Sequence, residues 1–164
     1  MCRRLWTKSE RLQRPSGPDA DTLARLPLTA TNPKLSAAFE AHLEETQGQI
    51  ERIDQIVETC GLKLKRMKCV AMEGLIEEGK EVMEEIEKGP VLDAALIEAA
   101  QKAEHYEIAG YGTLMTFAKH LGLKEAVPLL KQTLDEEKAT DEKLTELAES
   151  ETNVQAAKKN AVPA

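Results

Sequence analysis

The sequence is poor in aromatic residues and contains no long apolar run. Aromatic side chains make up 3% of the 164 residues, whereas alanine, leucine, glutamate and lysine are abundant. Strands favour β-branched and aromatic residues, so this composition favours helices and predicts an all-α fold. A chain of this length can bury a sizeable core, and one domain is the simplest expectation.

What is missing also disfavours several classes of protein. A net charge of −7 does not provide the clustered cationic face that phosphate backbones require, so nucleic acid is not an expected partner. No segment reaches the roughly 18 apolar residues of a membrane helix, and no apolar stretch follows the basic start of the chain. Cys2, Cys60 and Cys69 form no C-x-x-C pair. We therefore expect reduced thiols in a cytoplasmic protein with no membrane partner.

The first 30 residues differ from the rest of the chain. They hold five of the seven arginines and three of the seven prolines, and no amphipathic period continues through them. We therefore predict that residues 1–30 are irregular. Residues 31–150 are predicted to form the helical domain, and residues 151–164 a flexible tail.

Four long helices are predicted in the helical domain. Thr31 or Asn32 caps the first helix, Pro33 opens it and Gly61 ends it. The second helix is expected over about 20 residues and ends at Gly89 and Pro90. The third is expected from about residue 92 to 120, and the fourth from about 124 to 150. Long amphipathic helices with short connections are typical of a bundle.

Carboxylates interrupt the apolar seams of two of these helices. In the segment AEHYEIAGYG, Glu104, Glu107 and Tyr111 follow one another at helical spacing on a stripe that is otherwise apolar. Glu137 and Asp141 interrupt the stripe of the last helix at the same spacing. An unpaired carboxylate is costly to bury, so several that converge require a compensating cation.

The first long helix adds a third polar group. His42, Glu45 and Gln49 flank the gap that Thr46 leaves in its apolar stripe. Bundles that hold two metal ions use inward-pointing glutamates and Glu-x-x-His units, and oxygen-rich ligand sets suit Fe, Mn or Mg better than Zn. A di-metal site is therefore one interpretation, although none of the pairs here is a Glu-x-x-His unit.

The other interpretation is structural. The chain has 29 acidic residues, so some glutamates fall on seam edges by chance, and His42 is then a hydrogen-bonded seam histidine. Tyr111 packs with its hydroxyl on a carboxylate. His105 lies about 100° from Glu104 around the helix, so it is solvated or supports a ligand. Glu78 is a candidate of second rank.

Four uninterrupted segments resemble the YciF/YciE type of ferritin-like bacterial stress protein: FEAHLEETQGQIERIDQIVE, LKRMKCVAMEGLIEEGKEVMEEI, AQKAEHYEIAGYGTL and LLKQTLDEEKATDEKLTELA. The resemblance covers about residues 31–150. It implies a ferritin-like antiparallel helical bundle with a crossover helix, a cytoplasmic location, a homodimer and a tie to stress responses. It also implies oxygen ligands for Fe or Mn, namely Glu45, Glu104, Glu107, Glu137 and Asp141, with Gln49 where a histidine would strengthen the set.

The resemblance does not extend over residues 1–30. The family's first bundle helix, with its glutamate, is expected there, so we predict that this helix is missing or replaced through a frameshift or a wrong start. One wall of the bundle is then absent. An exposed seam is expected as a result, formed by Phe39, Leu43, Ile50 and Ile53.

Two functions follow from these observations. The first is a ferritin-like stress protein with a di-metal centre of Fe or Mn, held by the carboxylates together with Gln49 and His42. The alternative is a non-catalytic dimeric bundle, whose seam carboxylates are protonated, hydrated or paired with His42 and lysines. A third, weaker interpretation is a helical adaptor that uses the open seam. The sequence assigns no catalytic residue.

Overall fold

The computed structural model describes residues 18–63 and 69–160, and all regular secondary structure in these ranges is helical. The predicted all-α fold is confirmed. The elements in chain order are α1 (Pro18–Thr29), α2 (Pro33–Thr59), α3 (Val70–Glu85), α4 (Pro90–His120), α5 (Ala126–Leu147), a π-helical turn (Ala148–Thr152) and α6 (Asn153–Asn160). Within the described ranges, no helix is both long and apolar enough to cross a membrane.

Local sequence signals set both ends of α2. Asn32 is the N-cap, and its side chain accepts hydrogen bonds from the backbone N–H groups two and three residues ahead, at 2.9 and 3.2 Å. Pro33 occupies the first helical position, where no N–H is needed. At the other end Gly61 has φ 60°, and the N–H of Leu62 bonds to the carbonyl of Val57 at 2.9 Å. Glycine adopts this left-handed conformation without strain, so the helix ends there.

The helices pack in a closed ring. α1 packs on α2, α2 on α5, α5 on α4, α4 on α3, and α3 returns to α1. The π-helical turn and α6 continue the line of α5 and pack on α4. Side chains that point inward from different helices therefore meet at the centre of the ring.

Two apolar clusters fill the ring, one toward each end. One includes Leu35 and Phe39 of α2 with Leu96 of α4. The other includes Ile56 of α2 with Leu114 of α4. The α2 and α4 residues between the clusters include the predicted polar groups, so these groups form a layer in the middle of the bundle.

The prediction that residues 1–30 are irregular is wrong for Pro18–Thr29, which forms α1. The helix contains Pro27, and its Leu26 is buried in the same cluster as Phe39. Packing of this apolar side chain against α2 outweighs the unfavourable local composition. Residues 1–17, on which the rest of the prediction falls, lie outside the described ranges.

The predicted exposed seam is also wrong for three of its four residues. Phe39, Ile50 and Ile53 are buried, and only Leu43 is exposed, at 37%. Phe39 packs in the cluster that contains Leu26, so α1 covers part of the wall that the sequence left open.

The predicted flexible tail is wrong up to residue 160. The helix continues through the π-helical turn into α6, and Thr152 is buried. The carboxylate of Glu151 accepts a hydrogen bond from the Asn32 side chain at 3.0 Å and pairs with Lys34. These contacts fix the turn against the start of α2.

Candidate metal centre

Three side chains from three helices converge in the polar layer. His42 of α2, Glu104 of α4 and Glu137 of α5 each bring one potential ligand atom to within 4.8 Å of the others. Nε2 of His42 lies 3.2 Å from Oε1 of Glu104. Glu104 is 3% exposed and Glu137 is fully buried. Two acidic groups and an imidazole therefore share a small volume from which most solvent is excluded.

The helical period explains why the two glutamates point inward. Glu104 lies seven residues after Ile97 and seven before Tyr111, and both of these neighbours are buried. Seven residues are close to two turns, so all three side chains share a face. Glu137 likewise follows the buried Leu130 by seven residues. The apolar stripe thus carries each carboxylate into the core.

A fixed cation lies beside this group, and the sequence analysis missed it. Nη1 and Nη2 of Arg52 donate to the two carboxylate oxygens of Glu136 at 2.9 and 2.8 Å, and Nη1 also donates to Thr133 Oγ1 at 2.6 Å. Nε2 of Gln49 lies 3.5 Å from Glu136. Arg52 follows Gln49 by three residues and Glu45 by seven, so the same spacing rule could have found it.

Tyr111 also belongs to the polar layer. Burial raises the pKa of its hydroxyl, and repulsion from the Glu137 carboxylate raises it further, while Arg52 opposes the shift. A phenol that keeps its proton is a hydrogen-bond donor to nearby carboxylates. The hydroxyl is therefore held in the neutral, donating form at physiological pH.

Replacement of Tyr111 with phenylalanine is expected to reduce the loss of stability at alkaline pH. The folded-state pKa lies above its ordinary value of about 10, so above that pH the unfolded chain releases this proton first. The contribution of the Tyr111 hydroxyl to the free energy of unfolding is full below about pH 10. It falls as the pH rises, and at about pH 11 it has fallen by about 1.4 kcal/mol. Urea unfolding of the metal-free wild type and variant, at neutral pH and at about pH 11, measures the loss of stability in each. Equal losses in wild type and variant would contradict the shift.

Asp141 lies on the predicted stripe but contacts another set of residues. Its Oδ1 accepts a hydrogen bond from Gln101 Nε2 at 2.9 Å and lies 3.2 Å from His105 Nε2. His105 is 69% exposed, as expected for a solvated side chain. Asp141 is one turn beyond Glu137, about 6 Å along the axis, and there α5 faces an earlier part of α4.

The remaining candidates are less buried. Glu45 is exposed, and its Oε2 accepts a hydrogen bond from Thr140 at 3.3 Å. Glu107 is partly buried. Glu78 forms an ion pair with Lys102 at 2.6 Å in which both side chains are substantially exposed. The structure thus brings His42, Glu104 and Glu137 together, and it places Glu45, Glu107, Glu78 and Asp141 at the edge or outside. Gln49 is buried, and its amide nitrogen lies 3.5 Å from Glu136.

A cavity of about 200 Å³ adjoins two of the three converging side chains, His42 and Glu104, whereas Glu137 does not line it. Its lining draws on all five helices of the ring and is mostly apolar. The polar residues in the lining include His42, Glu104, Glu107 and Tyr111. His42 and Glu104 therefore border a space large enough for a small molecule.

The donor set has the chemistry of a divalent metal site. One imidazole nitrogen and two carboxylate groups suit Fe(II) or Mn(II), which accept nitrogen and oxygen ligands with open positions. A cation at this point would be attracted by two buried negative charges. The same groups can also form a hydrogen-bonded network without a metal, because protonated His42 can donate to Glu104.

Comparison with known proteins identifies the family. The family described as a domain of unknown function, DUF892, matches residues 20–157. The chain belongs to this family. The DUF892 match begins at residue 20, so the prediction that family resemblance starts near residue 31 is wrong, and most of α1 lies within the family segment.

Two proteins, YciF and YcfI, are similar to this chain in sequence or structure. Protein YciF of Escherichia coli (strain K12) is 65% identical over 138 residues, which cover 84% of this chain and 83% of that protein. The crystal structure of the E. coli stress protein YciF has a TM-score of 0.82 and 58% identity, covering 93% of this chain and 92% of the other. YcfI, a proposed structural protein from Rhodopseudomonas palustris, has a TM-score of 0.78 and 42% identity, with coverage of 87% and 88%. The predicted resemblance to YciF is confirmed.

Proposed function

We propose that this DUF892 protein is a stress-related helical bundle that binds a divalent transition metal, Fe(II) or Mn(II), through His42, Glu104 and Glu137. The observation that carries the proposal is the convergence of three ligand atoms from three helices within 4.8 Å. The stress role is supported by the high identity to a protein described as a stress protein. The metal is supported by the chemistry of the three side chains.

Electrostatics favour a cation at this position. Glu104 and Glu137 are both buried, and two neighbouring carboxylates repel each other strongly where water is excluded. The Arg52 guanidinium is already engaged by Glu136. A divalent ion between the two glutamates would offset both charges at once, so metal binding should stabilise the folded chain.

A second ion would require further ligands. Glu45 and Glu107 border the same cavity as His42 and Glu104, and a change of side-chain rotamer could bring either of them toward the polar layer. The tight cluster alone supports one ion. The di-metal centre is therefore the extended form of the proposal, with Glu45 and Glu107 as its additional ligands.

The surrounding residues have distinct tasks in this site. Fe or Mn would supply one-electron redox chemistry when bound. Tyr111, which holds its proton, can donate a hydrogen bond to a ligand carboxylate and fix its orientation. Arg52 holds Glu136 out of the cluster. The apolar lining of the cavity limits the access of water to the centre.

Manganese is expected to stabilise the purified, chelator-treated protein. A metal that binds only the folded state should raise the free energy of unfolding by roughly 2.7 kcal/mol at 100 times its dissociation constant. Urea unfolding with and without MnCl₂ measures this change, and elemental analysis gives the amount bound. Magnesium at the same concentration is the control for a general effect of divalent charge. No change in stability together with substoichiometric metal would refute the proposal.

A metal-free structural bundle is the second candidate. The short distance from His42 Nε2 to Glu104 Oε1, 3.2 Å, favours it, because the imidazole can donate a hydrogen bond to the carboxylate without a metal. The description of YcfI as a proposed structural protein points the same way for that relative. The manganese experiment separates the two candidates. The homodimer and the cytoplasmic location implied by the resemblance stay predictions.

A further inference from the structure

The central cavity has features of a small-molecule site that the metal ligands alone do not explain. Its volume is about 200 Å³, and cavities of about 150 Å³ with apolar walls can bind benzene. Leu26, Phe39, Met72 and Leu144 contribute apolar side chains from four different helices. Such a lining favours an aromatic or short aliphatic molecule over a sugar or a nucleotide.

Polar side chains also border the cavity, and they include two of the three candidate metal ligands. His42, Glu104 and Glu107 all border it, and Glu104 is among the most buried charged residues in the described ranges. Apolar walls with a few convergent polar groups are the usual composition of ligand sites. A molecule in the cavity would place its polar end against His42 and Glu104 and its apolar part among the aliphatic side chains.

We propose that the cavity binds a small, mostly apolar molecule of about six to ten non-hydrogen atoms that carries one polar group, such as a simple phenol. The inference rests on the proposed function for the role of this molecule, which would be the substrate of the metal centre. Binding itself depends only on the cavity and should occur in metal-free protein.

A titration with p-cresol tests the cavity directly. Saturation-transfer NMR on metal-free, full-length protein should show saturable binding with a dissociation constant below about 1 mM. Ala103→Leu adds three carbon atoms to the cavity wall and should weaken binding at least tenfold. Ala109→Leu, at an exposed position of the same helix, should leave it unchanged. Circular dichroism verifies folding, and Ala41→Leu, at another lining position, replaces Ala103→Leu if that variant does not fold.

A parallel titration with Mn(II) separates this inference from the proposed function. Bound manganese should broaden the p-cresol signals, because the ligand would lie beside the paramagnetic ion. If manganese does not bind, the metal proposal fails, whereas the p-cresol titration still decides the cavity. Absence of saturable p-cresol binding, or binding that a folded cavity-filling variant leaves intact, would overturn the inference.

Discussion

Replacement of Glu137 with glutamine is expected to lower the affinity for Mn(II) at least 100-fold. Glu137 is fully buried and is one of three side chains whose ligand atoms converge. Loss of an outer-shell partner of a metal ligand already costs about 10–100-fold in affinity, so loss of a direct anionic ligand should cost more. Glutamine keeps the size of the side chain and removes its charge, which separates ligation from packing.

The metal-free variant should behave in the opposite way. Removal of a buried negative charge beside Glu104 lowers repulsion between the two carboxylates. The free energy of unfolding of the metal-free variant should therefore be no lower than that of the wild type, and up to roughly 1 kcal/mol higher. Isothermal titration with MnCl₂ and urea unfolding measure the two effects. Glu142→Gln, at an exposed position of the same helix, should change neither. A Glu137→Gln protein that binds manganese like the wild type would remove Glu137 from the site.

Helical spacing was sufficient to find the buried members of the site. Glu104 and Glu137 interrupt stripes whose other members are apolar, and the structure buries both of them. Glu137, and not Glu136, continues the stripe of Leu130 and Leu134 at spacings of four and three residues. The periodicity of a single helix is thus sufficient to predict which of its faces is buried.

Spacing does not predict which residues of the neighbouring helices contact each face. Asp141 shares the stripe of Glu137, yet it bonds to Gln101, because the facing helix presents that residue one turn along the axis. Arg52 lies outside the apolar stripe, so the stripe does not indicate it, although its pairing with Glu136 organises the polar layer. Which residues face one another depends on the relative positions of two helices, and a single sequence contains that information only indirectly.

Helix α1 also could not be predicted from local sequence alone. Prolines and arginines made residues 1–30 look irregular, but Leu26 packs against the bundle and Pro18–Thr29 is helical. The predicted flexible tail is wrong for a similar reason, since Asn32, from a distant part of the sequence, donates a hydrogen bond to Glu151. Tertiary contacts decide marginal helices, and composition does not reveal them.

Replacement of Asp93 with alanine is expected to destabilise the protein by about 4 kcal/mol. Asp93 is 1% exposed, and its carboxylate accepts hydrogen bonds from the N–H and the hydroxyl of Thr31 at 2.7 and 2.6 Å and from the N–H of Asn32 at 2.9 Å. Each hydrogen bond to a charged group contributes about 1.5–3 kcal/mol, and the contributions are not additive. Alanine would leave the buried N–H of Asn32 and the two donors of Thr31 without this acceptor.

The position of Asp93 explains why so much depends on it. It lies in the first turn of α4, where a negative charge is favoured by the helix dipole, and its partners join α1 to the capped start of α2. Loss of this contact should therefore loosen three helices at once. Urea unfolding measures the cost, and Asp135→Ala, which removes a half-exposed carboxylate paired with Lys131, should cost less than about 0.5 kcal/mol. A loss below about 1 kcal/mol for Asp93→Ala would show that water or the backbone replaces the carboxylate.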